Sequence, residues 1–348
     1  MSDYIPLILT TPAENAVIHL LRKDWAELTC VRANGISNFS NFEENRNEND
    51  IATPESVGFQ WTGGTPPFRF VLKDEAGRIV RQADDLADRI YITTNLNTSA
   101  NYFWSVTDRK NNTVSSSFFT AYSPRFIAIP DRSAGPRNLR DFGGRRTKDG
   151  KMTRQGVAYR GADCDSFPAG SEENKRFLKE ELKIRTELDL RYTGEIKGQT
   201  VSKLGPDVRF IHRPINAYHP FTEEQNTLFR DTLRLFADPE IYPVFYHCAG
   251  GVDRTGELSF LLNMLLGVDL EEALLDYEAS SLSIFQRPRT IAYFQRWLSV
   301  LAQTGEPQDN WQQHVEKYML SIGLTPEELT SIRKNLTVSL QEHQTEIR

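Results

Sequence analysis

The sequence predicts an all-β domain over residues 1–122, followed by an α/β domain over residues 123–348. Short strand-like runs separated by turn-rich pieces fill the first part. In the second part, strand-like runs alternate with amphipathic helical stretches. A chain of 348 residues also suits two domains better than one. We therefore expect a small β-sandwich, then a central, largely parallel sheet flanked by helices.

The strand-like runs of the first part recur at short intervals, which is typical of an antiparallel sandwich. They cover residues 5–10, 16–21, 56–61, 68–73, 89–94, 102–108 and 115–121. Residues 34–50 are rich in Asn, Ser and Glu and predict a long surface loop. With Trp61 on an early strand and YFWSV at residues 102–106, this part resembles a fibronectin type III or immunoglobulin-like module. We expect these aromatic residues in its core; a protein or carbohydrate partner for the module stays open.

The second part alternates strands and helices up to His247 and is nearly all helical beyond it. Strands are predicted at residues 156–160, 184–190, 207–214 and 241–247. Helices are predicted at residues 172–181, 222–236, 255–266, 270–278, 288–301 and 308–320, with a last helix that begins at Thr325. Thr222 with Gln225, and Thr325 with Glu328, predict capped helix starts.

The composition excludes several classes of function. The chain carries 41 basic and 47 acidic residues, and this acidic balance argues against binding to nucleic acids or anionic membranes. Three cysteines, Cys30, Cys164 and Cys248, form no disulfide framework, and the absence of CxxC and HExxH patterns predicts no metal site. We expect no organic cofactor either.

No apolar run is long enough for a membrane-spanning helix, and the first 15 residues lack the features of a signal peptide. The expected compartment is therefore the cytoplasm by default. An exported or periplasmic location is the alternative if a leader has been removed.

The segment HCAGGVDRTG at residues 247–256 joins a buried strand to a long helix. Backbone N–H groups in such a loop, together with the helix dipole, form an anion site. We expect a phosphate to bind the backbone of four residues, Ala249, Gly250, Gly251 and Val252. The planar fork of Arg254 can hold two phosphate oxygens at once.

Cys248 begins this loop and faces its centre, where positive charge favours the thiolate over the thiol. A thiolate beneath a phosphoryl group can form a phosphocysteine that water then hydrolyses. Thr255 either donates its hydroxyl to the Cys248 sulfur or caps the helix. A rhodanese-type loop is a rival interpretation, but such a loop has no reason to carry the Asp-Arg-Thr-Gly run.

This loop resembles the signature of the protein tyrosine phosphatase superfamily. NLRDFGG at residues 138–144, YRG at 159–161 and LDLR at 188–191 are similar to the bacterial tyrosine phosphatases whose loop reads HCxAGKDRTG. The resemblance covers residues 124–340 and implies their fold and activity. Val252 stands where those enzymes usually carry Lys, which puts activity on lipid phosphates in doubt.

The leaving oxygen needs a proton, and Asp253 inside the loop is the candidate acid. Myotubularin-like phosphatases, with CSDGWDRT, resemble this placement. Residues 216–225, where a separate acid would be expected, contain no Asp, and Glu223 and Glu224 have the pattern of first-turn helix residues. A purely bracing role for Asp253 stays open.

Supporting roles are expected for polar residues around the loop. His247 is expected to shape it by hydrogen bonding, and three residues to tie it in place: Asp141, Asp189 and Arg191. Arg140 and Arg160 could do likewise or contact the substrate. Cys164 is expected as a free thiol, with an oxidative disulfide to Cys248 as the alternative.

Together these residues predict a hydrolase of phosphate monoesters that acts on phosphorylated proteins or small phosphate esters. Phosphotyrosine is the first expected substrate, and inositol phosphates or phosphoinositides are the closest alternative. An alternative of another class is a phosphate-binding scaffold without turnover. A pure binder gains nothing from a reactive thiol, which argues against that class.

Overall fold

The structure is a computed structural model, and it describes residues 5–21, 54–131, 134–164, 172–217, 221–282, 292 and 294–339. Its described residues fall into two compact units. The first contains residues 5–21 and 54–125 together with Ser339, and the second contains the described residues between 126 and 338. The predicted loop at residues 34–50 lies outside the described residues.

The first unit is all β, as predicted. Its strands are β1 (Ile8–Thr11), β2 (Ala16–Ile18), β3 (Val57–Thr62), β4 (Phe68–Asp74), β5 (Ile79–Leu86), β6 (Ile90–Thr93), β7 (Asn101–Thr107) and β8 (Thr113–Thr120). They form a three-stranded sheet, β1-β3-β6, and a five-stranded sheet, β2-β8-β7-β4-β5. Strand β5 was not predicted. It is an edge strand with exposed positions along its whole length, so it lacks the alternation that marks a half-buried strand.

Aromatic side chains from both sheets make the core of this unit. Phe59 of β3 lies 4.9 Å from Phe70 and 5.1 Å from Trp104, measured between ring centroids. Trp61 and Trp104 are buried, as expected for core residues. Phe103, which alternates with buried neighbours along β7, is half exposed. Burial of rings at these distances stabilises the unit by apolar burial and by edge-to-face contacts.

The second unit mixes strands and helices, as the α/β prediction requires. Its strands are β9 (Arg140–Asp141), β10 (Lys151–Thr153), β11 (Ala158–Ala162), β12 (Thr186–Asp189), β13 (Arg209–His212), β14 (Val244–Cys248) and β15 (Thr337–Ser339). Its helices are α1 (Glu172–Glu180), α2 (Glu223–Leu235), α3 (Asp253–Leu265), α4 (Leu270–Glu278), α5 (Gln295–Leu301), α6 (Trp311–Ser321) and α7 (Pro326–Leu336).

A five-stranded sheet in the order β13-β12-β14-β11-β9 organises this unit. Strand β14 lies between β12 and β11 and is parallel to both, and β13 is parallel to β12, while the short β9 runs antiparallel to β11. In this register Ala162 and Asp189 lie beside Cys248 and His247, at the carboxyl ends of their strands. Ligands of parallel α/β sheets bind at that edge.

Two details differ from the sequence prediction, and a third prediction lies partly outside the described residues. The chain after His247 is not all helical, because β15 pairs with β10. Gln225 does not close a capping box. The Thr222 hydroxyl accepts from the Gln225 backbone N–H, but the Gln225 side chain bonds the backbone of Asn216. Of the helix predicted at 288–301, the described part is Gln295–Leu301. The box at Thr325 and Glu328 is complete.

Helix α3 is buried on all sides, and its apolar residues join the core of the second unit. The core fixes the start of α3 against the end of β14. In the part of the chain that the structure describes, no helix has the length and apolar character needed to cross a membrane.

Candidate active site

The loop between β14 and α3 is built for close approach to an anion. Cys248 ends β14 and is 2% exposed, and α3 begins five residues later at Asp253. Gly251 has a φ of +64°, and a Cβ there would lie 2.2 Å from the backbone of Gly161. Any other residue at this position would clash with β11, so the glycine holds the loop tight against the sheet.

The carbonyl groups of this loop are held from outside. Asn138 Nδ2 donates to the carbonyl of Gly251 at 3.0 Å and to that of Gly250 at 3.3 Å, and Arg160 Nη2 donates to Gly251 at 2.8 Å. The backbone N–H groups of residues 249–252 make no hydrogen bond within the described part of the chain. Those donors are therefore left for a ligand at the loop centre.

A buried cluster around Asp276 of α4 supports these contacts. The Asp276 carboxylate accepts from Arg140 Nε at 2.9 Å, from Arg145 Nη2 at 2.7 Å and from Arg160 Nη1. Arg140 and Arg160 are fully buried, so the structure places both as braces and not at the surface of a substrate cleft. Sequence reasoning missed Asp276, which lies in an ordinary helical stretch with no motif around it.

This cluster carries more positive than negative charge. Burial raises the pKa of Asp276, but the three arginines outweigh burial and hold that pKa far below its ordinary value. Burial and the neighbouring Arg160 charge lower the pKa of Arg140 to about 10. Three guanidinium groups thus share one carboxylate beneath the loop, and positive charge placed there favours a bound anion.

Arg254 lies in the first turn of α3 and contacts a turn that follows β12. Its Nη1 and Nη2 donate to Glu195 Oε2 at 2.5 Å and Oε1 at 3.1 Å, and its guanidinium carbon lies 4.7 Å from the centroid of the Tyr192 ring. Burial lowers the pKa of Arg254, but the hydrogen bond to Glu195 and the charge of Cys248 raise it overall above its ordinary value. Sequence reasoning missed Glu195 as well.

Asp253 is the first residue of α3, and Tyr277 donates its hydroxyl to Asp253 Oδ1 at 3.4 Å. Glu223 and Glu224 lie in the first turn of α2, as predicted.

The Thr255 side chain is placed differently from the simplest expectation. The Thr255 hydroxyl is buried and has no hydrogen-bond partner within the described residues, so the expected bond to the Cys248 sulfur is not formed. It remains an available donor beneath the loop. The Val252 side chain packs in the core, and only its backbone can face a phosphate.

His247 lies behind the loop between two buried carboxylates. Its Nε2 is 3.0 Å from Glu187 Oε1, and its Nδ1 is 3.9 Å from Asp189 Oδ1. Burial lowers the pKa of His247, but the hydrogen bond to Glu187 and the Asp189 charge outweigh burial and raise it above its ordinary value. These three residues could be considered as metal ligands, since their atoms lie within 4.8 Å of one another. His247 Nε2 bonds Glu187 and the Asp189 carboxylate pairs with Arg191, and these contacts make a buried charged network.

The other expected tie residues brace the strands. Asp141 accepts from the backbone N–H of Gly143 and of Gly156, each at 2.7 Å, which fixes the turns on both sides of β10. Arg191 bonds Asp189 through Nε at 2.9 Å and pairs with Asp163 at 3.3 Å. Cys164 is half buried and forms no disulfide bond with another described residue.

A cavity of about 870 Å³ opens beside the loop at Ala249. Four basic and two acidic side chains line it: Lys175, Arg191, Lys197 and Lys203, with Asp163 and Glu195. Cys164 also lies in its wall. The cavity is thus locally positive on a chain whose formal charge is −6.

Two solved structures resemble this chain at low similarity. The core catalytic domain of the PP-IP phosphatase SIW14 from S. cerevisiae, in complex with citrate, is 19% identical, with 49% of this chain and 93% of that chain covered and a TM-score of 0.31. A second structure of the Siw14 catalytic core is also 19% identical, covers 49% and 87%, and has a TM-score of 0.33. Likeness at this level carries no argument about the present chain.

No curated protein matches the chain. The sequence pattern of the tyrosine phosphatase family matches residues 132–338, which is more than half of the chain and contains every site residue described above. This match confirms the predicted superfamily and supports a hydrolase of phosphate esters. The chain therefore belongs to the tyrosine phosphatase family.

Proposed function

We propose that this protein hydrolyses phosphate monoesters through a phosphocysteine on Cys248, with protein phosphotyrosine as its first substrate. The observation that carries the proposal is the loop itself. Cys248 and Arg254 flank backbone N–H groups that bond no other described residue. Asn138 and Arg160 hold the Gly251 carbonyl of the same loop.

The first step forms a sulfur–phosphorus bond. The Cys248 thiolate attacks phosphorus, the bond to the leaving oxygen breaks, and Asp253 gives its proton to that oxygen. Loop N–H groups and Arg254 bind the three remaining oxygens, where charge builds in the transition state.

The second step restores the enzyme. A water molecule gives a proton to Asp253 and attacks phosphorus, and the sulfur–phosphorus bond breaks to release phosphate and the thiolate. The Thr255 hydroxyl, which has no hydrogen-bond partner among the described residues, can donate to the departing sulfur.

A second candidate substrate is an inositol phosphate, and the lysine-lined cavity favours it. Lys175, Lys197 and Lys203 could bind phosphates beyond the one that is cleaved. Val252 favours phosphotyrosine, because its apolar side chain packs in the core and adds no charge to the loop.

A substrate panel tests the proposal. We expect turnover of phosphotyrosine peptides and p-nitrophenyl phosphate by the wild type, and none by Cys248→Ser, which should still bind the esters. Substantial turnover by Cys248→Ser would remove Cys248 as the nucleophile. Ester binding by the wild type without any turnover would indicate a scaffold.

Lysine variants separate the two substrates. If inositol polyphosphates are the substrates, Lys197→Glu should reduce their kcat/KM by about tenfold or more while sparing p-nitrophenyl phosphate. Lys179→Glu is the matched control, because Lys179 lies on α1 one turn beyond Lys175 and does not line the cavity. Equal losses in both variants would exclude a specific role for the cavity.

A further inference from the structure

Arg254 is bound by a turn that no sequence motif identified. The Glu195 carboxylate meets both terminal nitrogens of the guanidinium, at 2.5 and 3.1 Å, and the Tyr192 ring covers its face. We propose that Glu195, assisted by Tyr192, positions the Arg254 guanidinium for phosphate binding. The inference rests on the proposed phosphatase function and deepens it.

The carboxylate is itself held in place. The backbone N–H of Tyr192 donates to Glu195 Oε2 at 2.7 Å, and the N–H of Glu195 donates to the carbonyl of Tyr192 at 2.9 Å. This turn directly follows Arg191, whose guanidinium pairs with Asp189 at the end of β12. Glu195 is therefore anchored to the same sheet edge that carries Cys248.

The contact leaves Arg254 able to bind a phosphate. A guanidinium has five N–H donors, and Glu195 accepts from two of them, so three remain. An arginine side chain also loses rotamer entropy when it is fixed. Glu195 and Tyr192 impose that cost in the folded protein, before any substrate binds.

The charge of Glu195 is suited to this role. The hydrogen bond from Arg254 lowers the pKa of Glu195 below its ordinary value, against the opposing effect of burial. The carboxylate thus stays ionised across neutral and mildly acidic pH. Its negative charge weakens the attraction between Arg254 and a phosphate, so its net benefit must come from orientation.

Kinetics of Glu195→Gln test the proposal, because Gln keeps the size of the side chain and removes the charge. We expect kcat/KM for p-nitrophenyl phosphate to fall about 10- to 100-fold, mostly in kcat, since misplacement of a binding group costs that much. Orthovanadate should bind more weakly, and Glu195→Asp should recover part of the rate. The melting temperature should not change.

Matched variants complete the test. Tyr192→Phe keeps the ring and should be neutral, Tyr192→Ala should lose a few-fold in rate, and Glu180→Gln, an exposed change on α1, should do nothing. Unchanged kinetics in Glu195→Gln would overturn the proposal. Faster turnover with tighter vanadate binding would overturn it too, because Glu195 would then compete with phosphate. Absence of wild-type turnover would reject the proposed function alone, and vanadate affinities would still decide the role of Glu195.

Discussion

The two units of this protein differ in what they bury. The first has an interior of aromatic and aliphatic side chains, and among its described residues Asp108 is the buried charged group. The second buries many charged groups beside its apolar core: Arg140, Asp141, Arg145, Arg160, Asp163, Glu187, Asp189, Arg191, Arg254, Glu257, Asp276 and Glu278.

Removing a charge from water costs several kcal/mol unless partners compensate it, so an apolar interior is the simpler way to stabilise a fold. The charged interior of the second unit has another use. Some of its groups lie beneath the loop that follows Cys248: Arg160 pairs with Asp276 and holds the Gly251 carbonyl. Charged groups buried in this way cluster at functional sites, which locates the chemistry in the second unit.

The largest effect should come from Asp253, on the rate for poor leaving groups. Asp253→Asn should reduce kcat/KM for tyrosine and alkyl phosphates by about 100- to 10,000-fold, the range of general acid catalysis. Nitrophenolate departs without a proton, so p-nitrophenyl phosphate should be hydrolysed at a nearly normal rate. A leaving-group series in wild type and mutant measures the difference.

A parallel loss across that series, with lower thermal stability, would show that Asp253 only braces the loop. In that case Glu223 and Glu224 would become the next candidates for the acid. Each rate should be compared at an equal folded fraction.

Asp276→Asn should strongly weaken the second unit. It removes the carboxylate that pairs with three buried guanidinium groups, and loss of one partner from a buried ionic group typically costs about 3–5 kcal/mol. The urea transition of the second unit measures this loss. Asp269→Asn, an exposed change just before α4, is the control and should stay within about 0.5 kcal/mol. A small effect of Asp276→Asn would mean that the charged interior is dispensable.

Phe59→Ala should destabilise the first unit without slowing catalysis. Its ring is fully buried against Phe70 and Trp104, and truncation of a core phenylalanine costs about 3–5 kcal/mol. Hydrolysis of p-nitrophenyl phosphate should be unaffected under conditions where the second unit stays folded. A loss of rate there would contradict the assignment of the chemistry to one unit.

The smallest effect concerns pH. The folded-state pKa of His247 is raised, so its imidazolium contributes stability below the ordinary histidine pKa of about 6.5. That contribution is lost as pH rises through the folded-state value, because the native state then releases a proton that the unfolded state has already lost. Glu187→Gln removes the partner at 3.0 Å and should flatten the fall of stability above neutral pH. An unchanged slope would mean that Glu187 does not hold the imidazolium.

Features that depend on residues close together along the chain could be predicted from the sequence, whereas contacts between distant residues could not. The loop at 247–256 could be interpreted directly, because a strand, a turn and a helix start lie in one continuous stretch. The helix starts at Thr222 and Thr325 depend on residues three positions apart and were also predicted. Edge strand β5 was missed because exposure on both faces removes the apolar pattern.

The sequence by itself determined the order of the two structural classes, the family and the candidate nucleophile, since each depends on local patterns. Only the tertiary structure decided which groups hold the loop that follows Cys248. Arg140 and Asp276 lie 136 positions apart, and Arg254 and Glu195 lie 59 apart. No local pattern marks such pairs, because a carboxylate on a helix or in a turn looks like a solvated charge until packing brings a buried arginine against it.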